Sequence, residues 1–359
     1  MSAVTTTAPA ADSRPLPRSL TAARLPKWAP PAIAALSIGL GCAIGVGFDL
    51  ASHIQWGLIS AILFVIISYV ISARVEGRRQ AKDRLATSVV WVAFVLAVVP
   101  LATLTFYTIQ QGIAVVDAYF LTHSMKGVRS AGPGGGIYHA LIGTLQQVAL
   151  ATAMAAPIGL LTAVYLVEYG RGRLAKAVTF FVDVMTGVPS IVAGLFILSL
   201  WNLALGFNYS GFSGSLALAI LMMPVVVRST EEMLKLVPNE LREASYALGL
   251  PKWKTILRVV IPTAIGGITT GVMLAVARIT GETAPVLMLV FGSDVINSNP
   301  FKDPQQSLPM YIWQQYAVVN NDFGYARAWG AALVLIAFVM GLNLIARGIA
   351  RWRSPKAGH

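Results

Sequence analysis

Eight apolar runs, each long enough to cross about 30 Å of hydrocarbon as a helix, leave this chain few ways to fold. They lie near 31–48, 56–73, 86–107, 138–166, 175–204, 214–230, 260–290 and 328–347. Only 12% of the 359 residues are charged, about half the usual share for a water-facing domain. The reading is an all-α polytopic membrane protein. Residues 1–29 are rich in Ala, Thr, Pro and Arg without an apolar period and read as a disordered tail. The first apolar run starts late and is long enough to span, which argues against a cleaved signal peptide. Cys42, the single cysteine, excludes an intrachain disulfide and reads as a small buried core residue.

The basic residues set the orientation. Arg14, Arg18, Arg24 and Lys27 precede the first run; Arg74, Arg78, Arg79, Lys82 and Arg84 follow the second; Arg171, Arg173 and Lys176 follow the fourth. Arg228, Lys235, Arg242, Lys252, Lys254 and Arg258 flank or fill the polar stretch between the sixth and seventh, and Arg347, Arg351, Arg353 and Lys356 follow the eighth. All of these fall on one side of an eight-span path, against Lys126, Arg129, Lys302 and Arg327 on the other. The positive-inside rule therefore places both termini in the cytoplasm. It also explains a net charge of +12 without nucleic acid as a partner.

The outer loops carry few chemical signals. AGPGGG at 131–136 lacks the Lys-Ser/Thr pair of a phosphate-cradling loop, and no GxxxxGK[ST] occurs in the chain, so it reads as a flexible surface turn. The chain thus carries no visible ATPase site. Met310, Tyr311, Trp313 and Tyr316 read as an interfacial aromatic segment, either a membrane-surface anchor or a contact for an external partner. Pro157, Pro189 and Pro224 interrupt apolar runs. Gly187-Val188-Pro189-Ser190 suits either a broken helix lining a pathway or a packing kink. The four histidines are scattered, and neither a metal-ligand spacing nor a paired nucleophile and base stands out; no catalytic or metal residue is assigned.

Two constellations remain. The first is Glu243 to Pro262, a basic, polar island between apolar runs. Asn239 is a candidate cap, with Glu240 and Glu243 in the first helical turn. Leu241, Ala244, Ser245 and Leu248 form one stripe, Gly249 supplies a stop, Pro251 opens a second short helix, and Pro262 marks entry into the seventh span. The spacing predicts a small helix–turn–helix that docks into a groove of a partner. The second is Arg278 and Glu282, four apart on the seventh span and expected on one helix face. A charge in the bilayer costs about 2.5–3.5 kcal/mol on insertion scales, so such groups usually face a bundle interior or an aqueous path. A structural ion pair between helices is the other reading. A guanidinium stays charged and forks two hydrogen bonds onto phosphate or carboxylate oxygens.

Glu243-Ala244-Ser245, Gly249 and Val259-Val260-Ile261-Pro262 resemble the EAA loop of bacterial ABC importer permeases, with Ser245 for the second Ala and Val259 for the usual Ile. Residues 277–285, ARITGETAP, resemble the R-x-x-GETAP segment of PstA-type phosphate importer permeases, and DVMTGVPS at 183–190 and PVVVRSTEEMLKLVP at 224–238 resemble the surrounding helices. The resemblance covers roughly 85–350. It implies a six-helix permease core there, with a coupling loop over 231–258, preceded by a two-helix extension and basic linker over 30–84 and followed by a basic tail over 351–359. It implies a phosphate importer subunit in the bacterial inner membrane, in which Arg278, Glu282 and Arg228 serve the substrate pathway and Glu243, Ala244, Ser245 and Gly249 couple to the ATPase. It also implies partners: a second, PstC-like permease, two PstB-like ATP-binding subunits that use ATP and Mg, a PstS-like external phosphate-binding protein, and membrane lipid. No cofactor is expected on this chain itself. The alternatives are an importer for molybdate, sulfate or phosphonate, and a stand-alone secondary transporter, for which no inverted repeat is visible.

Overall fold

A computed structural model of the chain describes residues 25–319 and 321–353, so the expected tail over 1–24 and the last residues of the basic C-terminus, 354–359, lie outside the described residues. Helices account for nearly all of the described chain: α1 Ala29–Gly47, α2 His53–Val75, α3 Arg78–Gly112, α4 Ala118–Thr122, α5 Tyr138–Val164, α6 Gly172–Gly187 and α7 Ser190–Ile197. After these come α8 Gly211–Lys235, α9 Asn239–Ala247, α10 Lys252–Thr255, α11 Ile261–Thr280, α12 Ala284–Leu289, α13 Leu308–Trp313 and α14 Asp322–Arg353. Wider π turns extend several of them, at Tyr165–Tyr169, Leu198–Ala204, Ile256–Val260 and Gln314–Val319. Among the described residues seven helices are each long and apolar enough to cross a membrane, and a bent pair brings the number to eight if it is counted as one span.

That pair divides the 175–204 run at Gly187-Val188-Pro189-Ser190, as a broken helix rather than a kink within one helix. α6 and the Ser190–Ala204 segment meet at 107°. Val188 and Pro189 are extended there (ψ 126° and 140°), because the pyrrolidine ring disfavours helical geometry in the residue before it and donates no hydrogen bond. The expected 260–290 span is also divided, since α11 stops at Thr280 and α12 begins at Ala284.

The chain separates into two compact units, one running to Thr105 and one from Phe106, so α3 belongs to both. In the first unit α1 and α2 form a hairpin closed by small residues. Gly41 lies against Ser60 and Gly45 against the Trp56 ring, and neither site has room for a Cβ. Ser52 caps α2, and Trp56 Nε1 donates to the Leu50 carbonyl across the turn (3.1 Å). Cys42, expected in the core, is exposed: Gly41 and Gly45 occupy the packed face, and Cys42 points away from it.

The second unit is built around α8. A capping box between Ser210 and Ser213 starts this helix, and residues on most of its circumference are buried, among them Ala217, Leu218, Met222 and Val226. α5 packs along it closely enough that a Cβ on Gly159 would meet Val226. α11, α6, α7 and α12 complete the wrapping. Pro157 and Pro224 sit inside α5 and α8 without breaking them. Of the expected interfacial segment, Met310 and Tyr311 are buried, Tyr311 in a cluster with Phe120, Met125 and Leu308, which corrects the surface-anchor reading for both, while Trp313 and Tyr316 stay exposed.

Candidate functional site

The polar island folds as two short helices on one end of the second unit. Pro238, not Asn239, stands at the N-terminal boundary of α9, and the Asn239 amide oxygen instead accepts from Arg242 Nη1 (3.2 Å). α9 closes with a double hydrogen-bonded C-terminal turn: Leu250 N donates to Ser245 O (3.2 Å) and Gly249 N to Tyr246 O (2.9 Å). Gly249 takes φ +77° there, a conformation that a β-carbon penalises. Of the predicted stripe only Ser245 is buried, whereas Leu241, Ala244 and Leu248 are exposed alongside Glu243. Ser245 Oγ lies 2.8 Å from Thr255 Oγ1, so the Ser that departs from the EAA pattern ties α9 to α10. The outward face of α9 is left apolar and free.

Arg242 anchors this element to the body. Its Nε and Nη2 donate to Glu168 Oε1 (3.1 and 2.9 Å), and its remaining donors reach the carbonyls of Val237 and Leu234. Both side chains are nearly buried, which makes the pair expensive to break singly. Lys252 donates to the Glu168 carbonyl and stands 4.7 Å from the Tyr169 ring centre. The sequence reading missed Glu168 and Arg242. The available signal was that Glu168 is the only acidic residue between Asp117 and Asp183 and stands at the polar end of an apolar run.

Arg228, assigned from sequence to the substrate pathway, lies near this same end of α8. It donates to Glu231 (2.6 Å), to Asp183 and to the Thr179 carbonyl, so it ties α6 to α8, and Glu231 in turn accepts from Lys235 (2.7 Å).

From Lys252 the chain runs as one helix to Thr280. Pro262 therefore lies inside a continuous rod and does not open it. The π turn at Ile256–Val260 sits directly before it and absorbs the missing N–H and the ring clash. Arg278 occupies the last turn of this rod. It is exposed, and no ion pair or hydrogen bond engages its guanidinium among the described residues. Glu282 is not on the same helix face. Gly281 ends the helix, with Gly281 N on the Arg278 carbonyl (3.3 Å) and Glu282 N on the Ile279 carbonyl (3.2 Å), and no ion pair joins Arg278 to Glu282. The helices that follow the two breaks pack together: a Cβ on Gly194 of α7 would stand 2.9 Å from Pro285 Cα of α12.

The other end of the unit is closed by neutral amides that the sequence reading did not single out. Gln147 Nε2 donates to Gln305 Oε1 (3.0 Å) and the Gln306 carbonyl (3.3 Å), and Gln305 Nε2 donates to Gln146 Oε1 (2.5 Å) and the Asn297 carbonyl (3.1 Å). Gln306 Nε2 donates to Gln314 (2.8 Å), and Leu308 N to Thr144 Oγ1 (2.7 Å). These bonds hold the 291–307 loop on α5, and Phe212 N of α8 donates to the Pro300 carbonyl (2.7 Å), with Gly143 and Gly211 leaving the space the loop needs. The 131–136 turn is likewise held. Buried Arg327 donates to the carbonyls of Ser130, Gly132 and Gly134 and to Gln315 Oε1 (2.9 Å), while Gly134 and Gly135 take positive φ to aim that backbone. Burial raises the Asp294 carboxyl and the Tyr311 phenol above their ordinary ranges, with the Arg327 charge opposing both.

The described residues hold no group of three or more His, Cys, Asp or Glu that could hold a metal ion. Residues 155–359 match the family described as binding-protein-dependent transport system inner membrane component. The "Phosphate transport system permease protein PstA 1" of Mycobacterium tuberculosis (strain H37Rv) is 52% identical over 270 residues, covering 75% of this chain and 87% of that protein. The PstA of Mycobacterium leprae is 50% identical over 280 residues, covering 77% and 91%. Among solved structures, a bacterial ABC transporter involved in alginate import superposes with a TM-score of 0.51 over 76% of this chain and 98% of that one, at 14% identity, a likeness of fold. By motif, fold and these relatives, the chain belongs to the binding-protein-dependent transport permeases of ABC importers and, within them, to the PstA type.

Proposed function

We propose that this chain is the permease subunit of an ATP-driven phosphate importer of the bacterial inner membrane, contributing half of the translocation path. One observation carries the reading. A single helix joins the docking pair α9–α10 to an exposed guanidinium, Arg278, that has no protein partner among the described residues. The basic-rich side of the chain, including α9 and α10, faces the cytoplasm. There the free face of α9, with Glu243, Ala244 and the positive-φ turn at Gly249, seats in a cleft of a PstB-like ATP-binding subunit, while Ser245 holds α9 on α10. Two such subunits use ATP and Mg, and the permease hydrolyses nothing itself. A PstC-like permease supplies the other half of the path, and a PstS-like binding protein delivers phosphate from outside.

Motion imposed on α9–α10 is transmitted along the rod to Arg278, which offers a planar, permanently charged fork to phosphate oxygens. The contact is transient, because a conducting site must release what it binds. Glu282, placed beyond the helix end, serves the same region from the loop rather than as a partner of Arg278 on one face. Arg228 acts at a distance from the anion, by holding α6 against α8.

The test is binding-protein-dependent uptake of labelled phosphate by the assembled complex, with sulfate and molybdate as competitors. Uptake is competed by unlabelled phosphate alone and falls at least about a hundredfold in Arg278→Gln, the loss of a charge-assisted contact of about 3 kcal/mol. Equal competition by sulfate or molybdate would reassign the cargo; normal uptake in Arg278→Gln would remove the residue from the path.

A further inference from the structure

The first unit contains a cavity of about 230 Å³ enclosed by α1, α2 and α3. Phe64 and Ser68 line it from α2, and Arg84, Ser88 and Trp91 from α3, each set spaced to share one helix face. Along the α2–α3 hairpin the polar groups lie nearer the Glu76–Gly77 turn and the aromatic rings deeper. Trp91 is 59% exposed, so this wall opens outward from an apolar helix.

Two features of the lining call for a ligand. Five serines of this unit are buried, and three of them are satisfied: Ser37 on Ile33 O, Ser60 on Trp56 O and Ser72 on Glu76. The other two, Ser68 and Ser88, are 5% and 7% exposed, line the cavity, and have no hydrogen-bond partner among the described residues. Their oxygens open into the cavity rather than being sealed in the interior, so each hydroxyl is available to a ligand there. The second feature is Arg84. Glu76 receives its Nε and Nη2 (2.5 and 2.8 Å) and fixes the plane of the guanidinium, which leaves Nη1 with its donors unused beside the cavity. Arg74, Arg78, Arg79 and Lys82 surround the same turn and add positive potential.

We propose that this cavity binds the headgroup of an anionic phospholipid. The phosphodiester oxygens accept from Arg84 Nη1, Ser68 Oγ and Ser88 Oγ, and the glycerol and first acyl carbons lie on Phe64 and Trp91. An amphiphile fits better than a free anion because the polar groups occupy one end only. The volume is also below the roughly 300–1,000 Å³ of sites that enclose a whole drug-sized ligand, as suits a headgroup whose chains remain in the bilayer. The assignment is independent of the cargo and of the partner subunits.

Native mass spectrometry of the full-length chain in detergent tests it, with phosphatidylglycerol or phosphatidylcholine of matched chains added. Phosphatidylglycerol is retained at least about fivefold more than phosphatidylcholine by the natural protein, a difference of about 1 kcal/mol. The preference disappears in Ser68→Leu/Ser88→Leu, which fills the cavity and leaves the Glu76–Arg84 pair in place, and in Arg84→Gln, which keeps the space and removes the charge. Hydrogen exchange over 64–91 provides a second readout, and exchange in α1 and the first half of α2, within the same unit, reports whether each variant is folded. Protection of 64–91 by phosphatidylglycerol, absent in the folded variants, supports the site. Equal retention of both lipids, or a preference that survives in the filled variant, overturns it. So does protection of 64–91 by inorganic phosphate alone, which would make the occupant a free anion.

Discussion

The two ends of the second unit are fastened by opposite chemistry. At the α9–α10 end the fasteners are charged: Arg242 on Glu168, Arg228 on Asp183 and Glu231, Lys235 on Glu231. At the other end they are neutral amides, Gln147, Gln305 and Gln306, joined to one another and to backbone, and the one buried cation there, Arg327, is held by carbonyls and an amide. Ion pairs act at longer range and exchange partners easily, whereas an amide lattice holds only in one register. The difference separates an end suited to being moved from an end suited to staying closed.

The separation is sharpest at Glu168. Glu168→Gln leaves the buried Arg242 guanidinium without a counter-charge and is expected to cost about 3–5 kcal/mol. The cost should appear as an earlier thermal transition and as faster hydrogen exchange over 237–255; a loss below 1 kcal/mol would mean that the carbonyls alone hold α9. Next in size, Gln147→Leu strands the Gln305 acceptor in the interior and should cost about 1–3 kcal/mol, with protection lost in the 291–307 loop and unchanged in α9. Protection lost at both ends would break the division.

Salt provides a smaller test. Asp183 and Lys235 have side chains 60% exposed, so their pairs are open to screening. Asp183→Asn should cost less than about 1 kcal/mol in dilute salt and nothing measurable at 1 M, while the cost of Gln147→Leu stays the same at both.

A separate test by pH concerns the charged clasp of the first unit. Arg84 and the neighbouring hydrogen bonds hold the Glu76 carboxyl at about 2, below its ordinary 4.5. A depressed carboxylate contributes stability that is complete above pH 4.5 and is lost as pH falls toward 2. Protection over 70–90, corrected for the intrinsic exchange rate, should therefore fall between pH 5 and pH 3 in the natural protein and show no such step in Glu76→Gln, while protection at the amide-held end, where the Asp294 carboxyl is raised, does not fall in either protein.

Hydropathy placed the spans, and the spacing of Ser245, Gly249 and Pro251 placed the α9–α10 pair, because periodicity and turn chemistry are local properties. The fasteners were not legible for the opposite reason. Arg242 and Glu168 are 74 positions apart, Gln147 and Gln305 158, and Arg327 and Gly132 195, distances over which no periodic pattern links residues. Glu282 is a different case. Its signal was present in the Gly281 before it and the Pro285 after it, but a spacing of four was read as helical where glycine and proline had already ended the helix. Asn239 failed for a similar local reason, since Pro238 fills the boundary position and Arg242 claims the amide.

The uninterrupted helix from Lys252 to Thr280 also sets a mechanical ratio. Arg278 stands 26 residues beyond Lys252, about 39 Å along the axis at 1.5 Å per residue. Pivoted at Lys252, this lever arm turns a tilt of only about 10° into a sweep of about 7 Å at the guanidinium, more than twice the length of a hydrogen bond. A small displacement of α9–α10 is therefore enough to carry the Arg278 guanidinium out of hydrogen-bonding reach of any fixed group.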